Sequence, residues 1–505
     1  MINQIIFIYM PAATRITWRN YVDDQTANPL KFFKPGCLED LRQILVEARS
    51  GGYKVKAVGS GHSSSDIALS QDYMIDTHGL SQVLDTGWLD LDPQAPPEED
   101  LFFTECGITI RNLNKLLEKR KKALVNMGAY DGQTIAGVIS TSTHGSGAGL
   151  GAFPDYLEAI LLLGEDGTLY HIERSRGKGI SRGPVQLPSA GRLRFIQDDA
   201  HFFSAGVSMG CMGIIYAVVI RVTDQYMLKE TRFFTTWTDI KTALRAGKIL
   251  SENRHLEVLV SPYRHQGKDH KCLVTKRNKT EAAYKSPLLP RRHRKILPEL
   301  FVRVVPDVLI DAVMRFLINH FPAIIPFLVQ SELNTLTDKG YIDKSYKVLD
   351  LGPYNNLAAY AAEIALPASR YLEAVEEIIR VVNQSVAEGK QYLNAPFSLR
   401  FVRTNEFFLS MQYGQPGEPF VCMIEFPTAG RTIGGMELLG RIETALYAYG
   451  GIPHWGQVNH VGGTGRSSLE RLYPRFQEWL KVWRALSPEG RFDNDFSRRC
   501  GISVS

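Results

Sequence analysis

The chain has 505 residues, 44% of them hydrophobic and 22% charged, with a net charge of +5 at neutral pH. That length and composition specify a globular protein with two or three separate cores, and so small a charge excess gives no case for a nucleic-acid-binding surface. The six cysteines (Cys37, Cys106, Cys211, Cys272, Cys422, Cys500) stand far apart without a CxxC pair, which excludes a disulfide scaffold and a zinc site and points to a reducing, cytoplasmic compartment.

At the N-terminus the apolar run Ile5–Met10 has no positive charge before it and is too short to span a bilayer, so neither a signal peptide nor a transmembrane helix is expected. From Trp18 to Val83 the pattern predicts strand, helix, strand. The helix covers Leu38–Ser50 and is closed by Gly51-Gly52, and the strand Val55–Val58 runs into Gly59-Ser60-Gly61. A second block, Leu101 to Asp224, mixes short β-rich runs (Ile160–Leu163, Thr168–Ile172, Ile214–Val222) with the helix Ile110–Lys121. From Met227 to Gly450 the character changes to long strands such as Phe397–Phe401 and Phe420–Phe426 and amphipathic helices such as Ser369–Val382. Within it, His265–Lys295 is rich in lysine and arginine, and a strongly apolar stretch follows over Val304–Val329. This pair admits two readings. One is a segment lying on an anionic membrane surface, a peripheral contact through residues 264–329. The other is a solvated loop with a partly buried helix, which the interruptions at Pro306, Asp307, Asp311, Pro322 and Pro326 favour.

Three tracts carry the chemistry. The first is Val58-Gly59-Ser60-Gly61-His62-Ser63-Ser64-Ser65-Asp66, a strand ending in small residues whose backbone N–H groups and hydroxyls can cradle a pyrophosphate. Its spacing is neither that of a dinucleotide fold nor that of a P-loop, and alone it would read as a glycine turn. The second runs from Asn126 to Gly147 and is full of glycine and hydroxyl residues with few large side chains, a good lining for a large flat polyphosphorylated ligand. The third, Gly206 to Ile220, puts another glycine turn before a buried strand.

These tracts, with Pro453-His454-Trp455-Gly456 and the tail Gly490-Arg491-Phe492-Asp493-Asn494, resemble the vanillyl-alcohol-oxidase-type flavoenzymes, in particular the gulonolactone and arabinonolactone oxidases, with the alditol oxidases also similar. The resemblance spans nearly the whole chain and is weakest from Tyr263 to Tyr346. It implies an α+β fold: a two-subdomain FAD-binding domain of the PCMH type over 15–226, a substrate or cap domain with an antiparallel sheet and flanking helices over 227–450, and a segment over 451–505 that returns to the FAD domain. It implies FAD bonded through its 8α-methyl carbon to His62, whose neutral imidazole is a nucleophile. The second tract has no cysteine, so a single link is expected.

By the same resemblance Gly59, Ser60, Gly61 and Ser63 hold the pyrophosphate, and Gly128, Asp131, Thr134, Gly137, Thr141, Thr143 and Gly145 line the cofactor. Ile214 and Ile215 offer backbone atoms to the adenine, and His454 and Asn459 approach from the C-terminal segment. His144 reads equally well as a turn residue. The implied activity is oxidation of a CH–OH carbon of a sugar lactone, alditol or similar polar alcohol, with O2 or another electron acceptor taking the electrons. A dehydrogenase serving a quinone or cytochrome at a membrane and a flavin-binding protein without turnover are the alternatives.

Two positions depart from the family pattern. Where relatives show Glu-x-Arg on one strand face, this chain has Ser398-Leu399-Arg400, and where they show His-Trp-Gly-Lys it has His454-Trp455-Gly456-Gln457. Arg400 keeps the role of stabilising negative charge on the reduced flavin, and Ser398 shares its strand face. The alcohol proton needs another base, for which His454, Glu425 and Glu363 are the candidates. Arg403 lies an odd number of positions from Arg400 and is expected to face away.

Overall fold

The computed structural model describes residues 16–285, 307–335, 341–350, 359–389, 391–414, 416–461 and 466–504. The apolar stretch from 304 therefore falls partly outside the described residues. The fold is α+β, built on three main sheets.

The smallest sheet is parallel, with β1 (Lys31–Phe33), β3 (Tyr73–Asp76) and β2 (Val55–Val58) in that order. Helix α1 (Leu38–Gly51) crosses between β1 and β2. It ends where Gly52 takes a left-handed φ of 73° and donates its N–H back to the last turn, the conformation glycine alone adopts without strain.

The second sheet has the order β7 (Leu193–Gln197), β6 (Leu169–Glu173), β5 (Leu157–Leu163), β8 (Ile214–Arg221), β4 (Leu101–Glu105). Strand β5 reads Leu-Glu-Ala-Ile-Leu-Leu-Leu, with no alternation of polar residues, because both of its faces are buried. Ile160 and Leu162 join a core with α2 (Ile110–Lys119) and α3 (Ile135–Ser140), while Leu161 and Leu163 join another with α1. The expected helix Ile110–Lys121 ends two residues earlier, since Lys121 turns into left-handed backbone at φ 58°.

The third sheet is antiparallel and eight-stranded: β12 (Tyr341–Lys344), β9 (Met227–Thr236), β11 (Asp269–Thr280), β10 (His255–His265), β14 (Phe397–Arg403), β15 (Phe420–Ala429), β13 (Ala359–Pro367) and β16 (Ile452–Pro453). On one face Phe397, Leu399 and Phe401, with Ile424, Phe426 and Ile364, pack under α6 (Tyr371–Ala387) and α7 (Gly435–Leu446). The period of two then sends Ser398, Arg400, Glu363 and Glu425 to the opposite face. Helix α6 starts at Tyr371 rather than Ser369 because Ser369 is engaged outside the helix, its N–H and hydroxyl both bonded to Glu418. Arg403, at the end of β14, is half exposed and pairs with Asp155 at 3.6 Å, away from Arg400.

A buried ion cluster locks the middle of this sheet. Arg277 Nε donates to Glu230 Oε2 at 2.8 Å and its Nη2 reaches Glu257 Oε2 at 3.2 Å. Removing one member strands a charge in low dielectric, so Arg277→Ala should cost about 3–5 kcal/mol, read as a lower denaturant midpoint. An unchanged midpoint would show that the cluster does not hold the sheet.

Residues after 453 close back onto the first two sheets. Val55 N–H donates to Arg491 O at 2.8 Å, Asn494 Nδ2 to the carbonyls of Ile67 and Leu69, and Trp479 Nε1, on α8 (Phe476–Leu486), to Val207 O. All six cysteines are unpaired, five of them buried.

Candidate functional site

The turn after β2 is crowded by design of its glycines. A Cβ at Gly59 would overlap the Thr134 hydroxyl, and Gly61, at φ 61°, lies against the Trp18 ring. Ser60 Oγ donates to Gly132 O at 2.6 Å, tying this first tract to the second. The turn delivers His62 between two aromatic rings: Tyr130 stacks on the imidazole at 4.2 Å with an interplanar angle of 12°, and Tyr21 tilts against it at 4.8 Å. His62 Nδ1 is buried without a hydrogen-bond partner. Burial pushes the imidazole down to about 4, so it is neutral at physiological pH.

Two hollows meet at His62. One runs beneath the turn and is lined by Gly59, Ser60, Gly61, Thr134, Gly137, Thr141, Gly210 and Ile215. The other is a cleft of about 540 Å³ bounded by Gly128, Thr143, His144, Glu363, Arg400, Glu425, His454 and Gln457. His62, Ser63, Gln133 and Thr141 line both, so together they form one long groove from the small parallel sheet to the face of the large one.

At the far end three strands align their polar residues. Register places Glu363 opposite Glu425, and Glu425 opposite Ser398. Arg400, next along that face, donates from Nη2 to Glu363 Oε1 and Glu425 Oε2, both at 2.7 Å. Gln457 Nε2 sits between the remaining oxygens, 3.4 Å from Glu363 Oε2 and 3.3 Å from Glu425 Oε1. Two carboxylates thus share one guanidinium, and their environments separate them. The Glu363 side chain is 2% exposed, and that of Glu425 is 28% exposed to the cleft. Burial raises the Glu363 carboxyl, but Arg400, His144 and His454 outweigh it and hold the group well below the usual carboxylate range. Burial also raises Glu425; Arg400 opposes the shift, the charge of Glu363 adds to it, and the net direction is upward.

The histidines differ in orientation. His144 turns Nε2 toward Glu363 Oε1 at 3.2 Å and Nδ1 toward Gly145 O at 2.8 Å. His454 Nδ1 accepts the Gly456 N–H at 3.0 Å, which leaves its proton on Nε2. Burial pushes His454 down to about 4.

Four expected contacts are placed elsewhere. The Asp131 carboxylate binds Arg111 at 2.7 Å. Gly145 packs on Met127 and Asn126, where a Cβ would collide with backbone. The Ile214 side chain points to the opposite face from that of Ile215, into the core shared with α1, as strand alternation requires, which leaves only its backbone for the adenine contact expected of it. Asn459 pins the late turn by donating to the carbonyls of His454, Trp455 and Gln457, and Ser398 Oγ is buried without a partner behind the cleft wall. Conversely, Tyr21, Tyr130, Gln133 and the His144–Glu363 contact were missed. Tyr130, Gln133 and His144 carried a signal in lying inside the second tract; Tyr21 reaches His62 through folding and not through any spacing.

Known proteins align with this arrangement. Residues 218–500 match the D-arabinono-1,4-lactone oxidase family and residues 29–173 match an FAD binding domain. The chain is 25% identical to L-gulono-1,4-lactone dehydrogenase of Mycobacterium tuberculosis, over 95% of this chain and 98% of that protein, and 24% identical to mouse L-gulonolactone oxidase, over 95% and 97%. D-Arabinono-1,4-lactone oxidase of Yarrowia lipolytica is 22% identical over 74% and 65%. Among solved structures, cholesterol oxidase from B. sterolicum superimposes with a TM-score of 0.75 at 12% identity, covering 97% of each chain, a likeness of fold.

Proposed function

The chain belongs to the D-arabinono-1,4-lactone oxidase family, and from that premise we propose that it oxidises a CH–OH carbon of a sugar lactone, with FAD bonded to His62 and Glu425 taking the hydroxyl proton. It is an FAD-dependent oxidoreductase.

The residues present fit that cofactor. At Gly59 and Gly61 the groove has no room for a Cβ, and His62 Nδ1, Arg400 Nε and Gln457 Oε1 are buried along it without partners. An unmet buried polar atom costs about 1–3 kcal/mol, so several at one place support a ligand that satisfies them. When bound, FAD supplies the two-electron acceptor for the oxidised carbon.

The observation that carries the reading is one cleft that holds both His62 and the Glu363–Arg400–Glu425 row. Arg400 places a fixed positive charge where negative charge develops, and buried Glu363 keeps it in position. Glu425 faces the cleft and receives the proton on Oε1, the oxygen held by the neutral amide of Gln457 and not by the guanidinium. His454, with its proton on Nε2, serves as a donor that orients a substrate oxygen, not as a base. Ser63, Gly128, Thr134, Gly137, Thr141 and Thr143 line the groove and are assigned to cofactor binding.

The test is anaerobic titration with aldonolactones, alditols and simple secondary alcohols. Lactones should bleach the yellow absorbance. If none does while dithionite bleaches it fully, the protein binds flavin without turning over. Arg400→Ala is expected to keep the flavin yet slow its reduction at least tenfold, about 1.4 kcal/mol of transition-state stabilisation; an unchanged rate removes Arg400 from the site. Relatives carry both oxidase and dehydrogenase names. O2 is the acceptor in this reading, and peroxide release in air distinguishes it from a quinone or protein acceptor. No single described helix is long and apolar enough to cross a membrane; a peripheral contact through residues 264–329 is part of the proposal.

A further inference from the structure

Two helices, α4 (Asp307–His320) and α5 (Ile325–Thr335), join at a bend of 102° and grip the large sheet by one face only. Ile318, Ile325 and Val329 enter the core beneath it. Polar ties complete the attachment: Arg315 Nη1 donates to Gly430 O at 3.0 Å, Asn319 Oδ1 accepts the Ile433 N–H at 2.9 Å, and Gln330 Nε2 donates to Ser261 Oγ at 3.0 Å. The opposite face is left bare. Phe316 and Phe321 are more than half exposed, Phe327 leaves 70% of its surface in solvent, and beside them Ile433 leaves 73%.

Singly, exposed apolar residues are ordinary; five large ones, counting Val313, on one bent pair and its adjoining turn are an interaction surface. The exposed positions between 312 and 334 include no carboxylate. The edge is cationic: Lys271 bonds to Asn334 at the end of α5, Arg264 and Lys268 are exposed on the β10–β11 turn, and Arg431 is exposed on the turn that α4 holds. Fourteen and eleven residues give helices of about 21 and 16 Å at 1.5 Å per residue, each short of the ~30 Å hydrocarbon layer, and the bend of 102° keeps them from forming one straight span. Aromatic side chains on a face whose described exposed positions carry no acid, with a cationic rim, match the requirements of a helix pair lying in an anionic lipid interface. A second protein copy would have to offer a matching apolar face with acidic flanks, and this patch offers none to itself.

The geometry points to α4, α5 and the 430–433 turn as a docking face for an anionic membrane surface. It makes specific the peripheral contact proposed above, rests on no assumption about the lactone, and sets the cleft close to the bilayer, since Pro427, three residues before the gripped Gly430, lines that cleft.

Flotation of the flavin-loaded protein with vesicles tests it. Wild type should rise with vesicles containing phosphatidylglycerol and much less with pure phosphatidylcholine. Phe316→Ser/Phe327→Ser should lower the bound fraction about tenfold while flavin absorbance and lactone-dependent bleaching stay at the wild-type level, which verifies folding. Arg264→Glu/Lys268→Glu should remove the preference for anionic lipid. Wild type that stays at the bottom with every composition overturns the proposal, as does a phenylalanine variant that floats like wild type. So does concentration-dependent dimerisation that the phenylalanine variant abolishes, without vesicle binding. Because bleaching is read separately, loss of flotation and loss of lactone oxidation are distinguishable.

Discussion

Acid-precipitated wild-type protein is expected to remain yellow, and His62→Ala protein to give a colourless pellet with all of its FAD in the supernatant. The effect is all or none because a covalent bond is either present or absent. The case rests on the state of one ring. His62 is held between Tyr21 and Tyr130, its Nδ1 has no partner, and burial keeps it neutral with a pKa of about 4. A neutral imidazole with an unengaged nitrogen is a nucleophile; a protonated or doubly hydrogen-bonded one is not. The same variant should still take up FAD reversibly, because Gly59, Ser60 and Thr134 are untouched. Free FAD released from denatured wild type would refute the tether and leave the rest of the groove's assignment standing.

Glu425→Gln should lower the rate of lactone-dependent flavin reduction by about 10²–10⁴, the usual worth of a positioned general base, while the bound flavin remains. The wild-type rate should climb with pH through a value above the ordinary carboxylate range and then level off. The sign follows from the raised affinity of Glu425 for its proton: below that point the carboxyl is protonated and cannot accept another proton, above it the group is free to do so. The glutamine variant should lose this limb. The sheet register supplies a sharper control. Ser398 faces Glu425 across β14 and β15, and directly opposed Cβ atoms are about 4.5–5.5 Å apart, so Ser398→Glu/Glu425→Ser moves the carboxylate one strand over within the same row. Recovery of part of the lost rate would show that the row matters and the strand does not. A Glu425→Gln enzyme as fast as wild type would send the search for the base elsewhere.

Phe397–Phe401 was legible because its two faces differ, Ser398 and Arg400 alternating with apolar residues so that their shared face could be read directly, whereas Phe420–Phe426 was legible as a bounded apolar run with Glu425 its one polar residue. The three glycine tracts were legible for another reason, since a run without bulky side chains has few uses other than close approach to a ligand. What could not be read was anything set by register. In sequence, Ser398 and Gln457 look like losses, a carboxylate and an ammonium both gone. Folded, the two positions meet one charge cluster: Glu425 presents a carboxylate from the neighbouring strand opposite Ser398, and a neutral amide at 457 stands between two acids that already share Arg400. Pattern also could not foresee that Asp131 would be claimed by Arg111, because that depends on a partner outside its own tract.

The bond from Val55 to Arg491 and the three carbonyls near residue 67 that Asn494 ties down have a bearing on biosynthesis. The loop bearing His62 emerges from the ribosome more than four hundred residues before the segment that fastens it, and Ser65 waits 390 residues for Trp455. The fastened form of this loop therefore exists only once the chain is complete, and a frameshift between codons 216 and 490 deprives the groove of its clasp even though every residue lining the turn has been made.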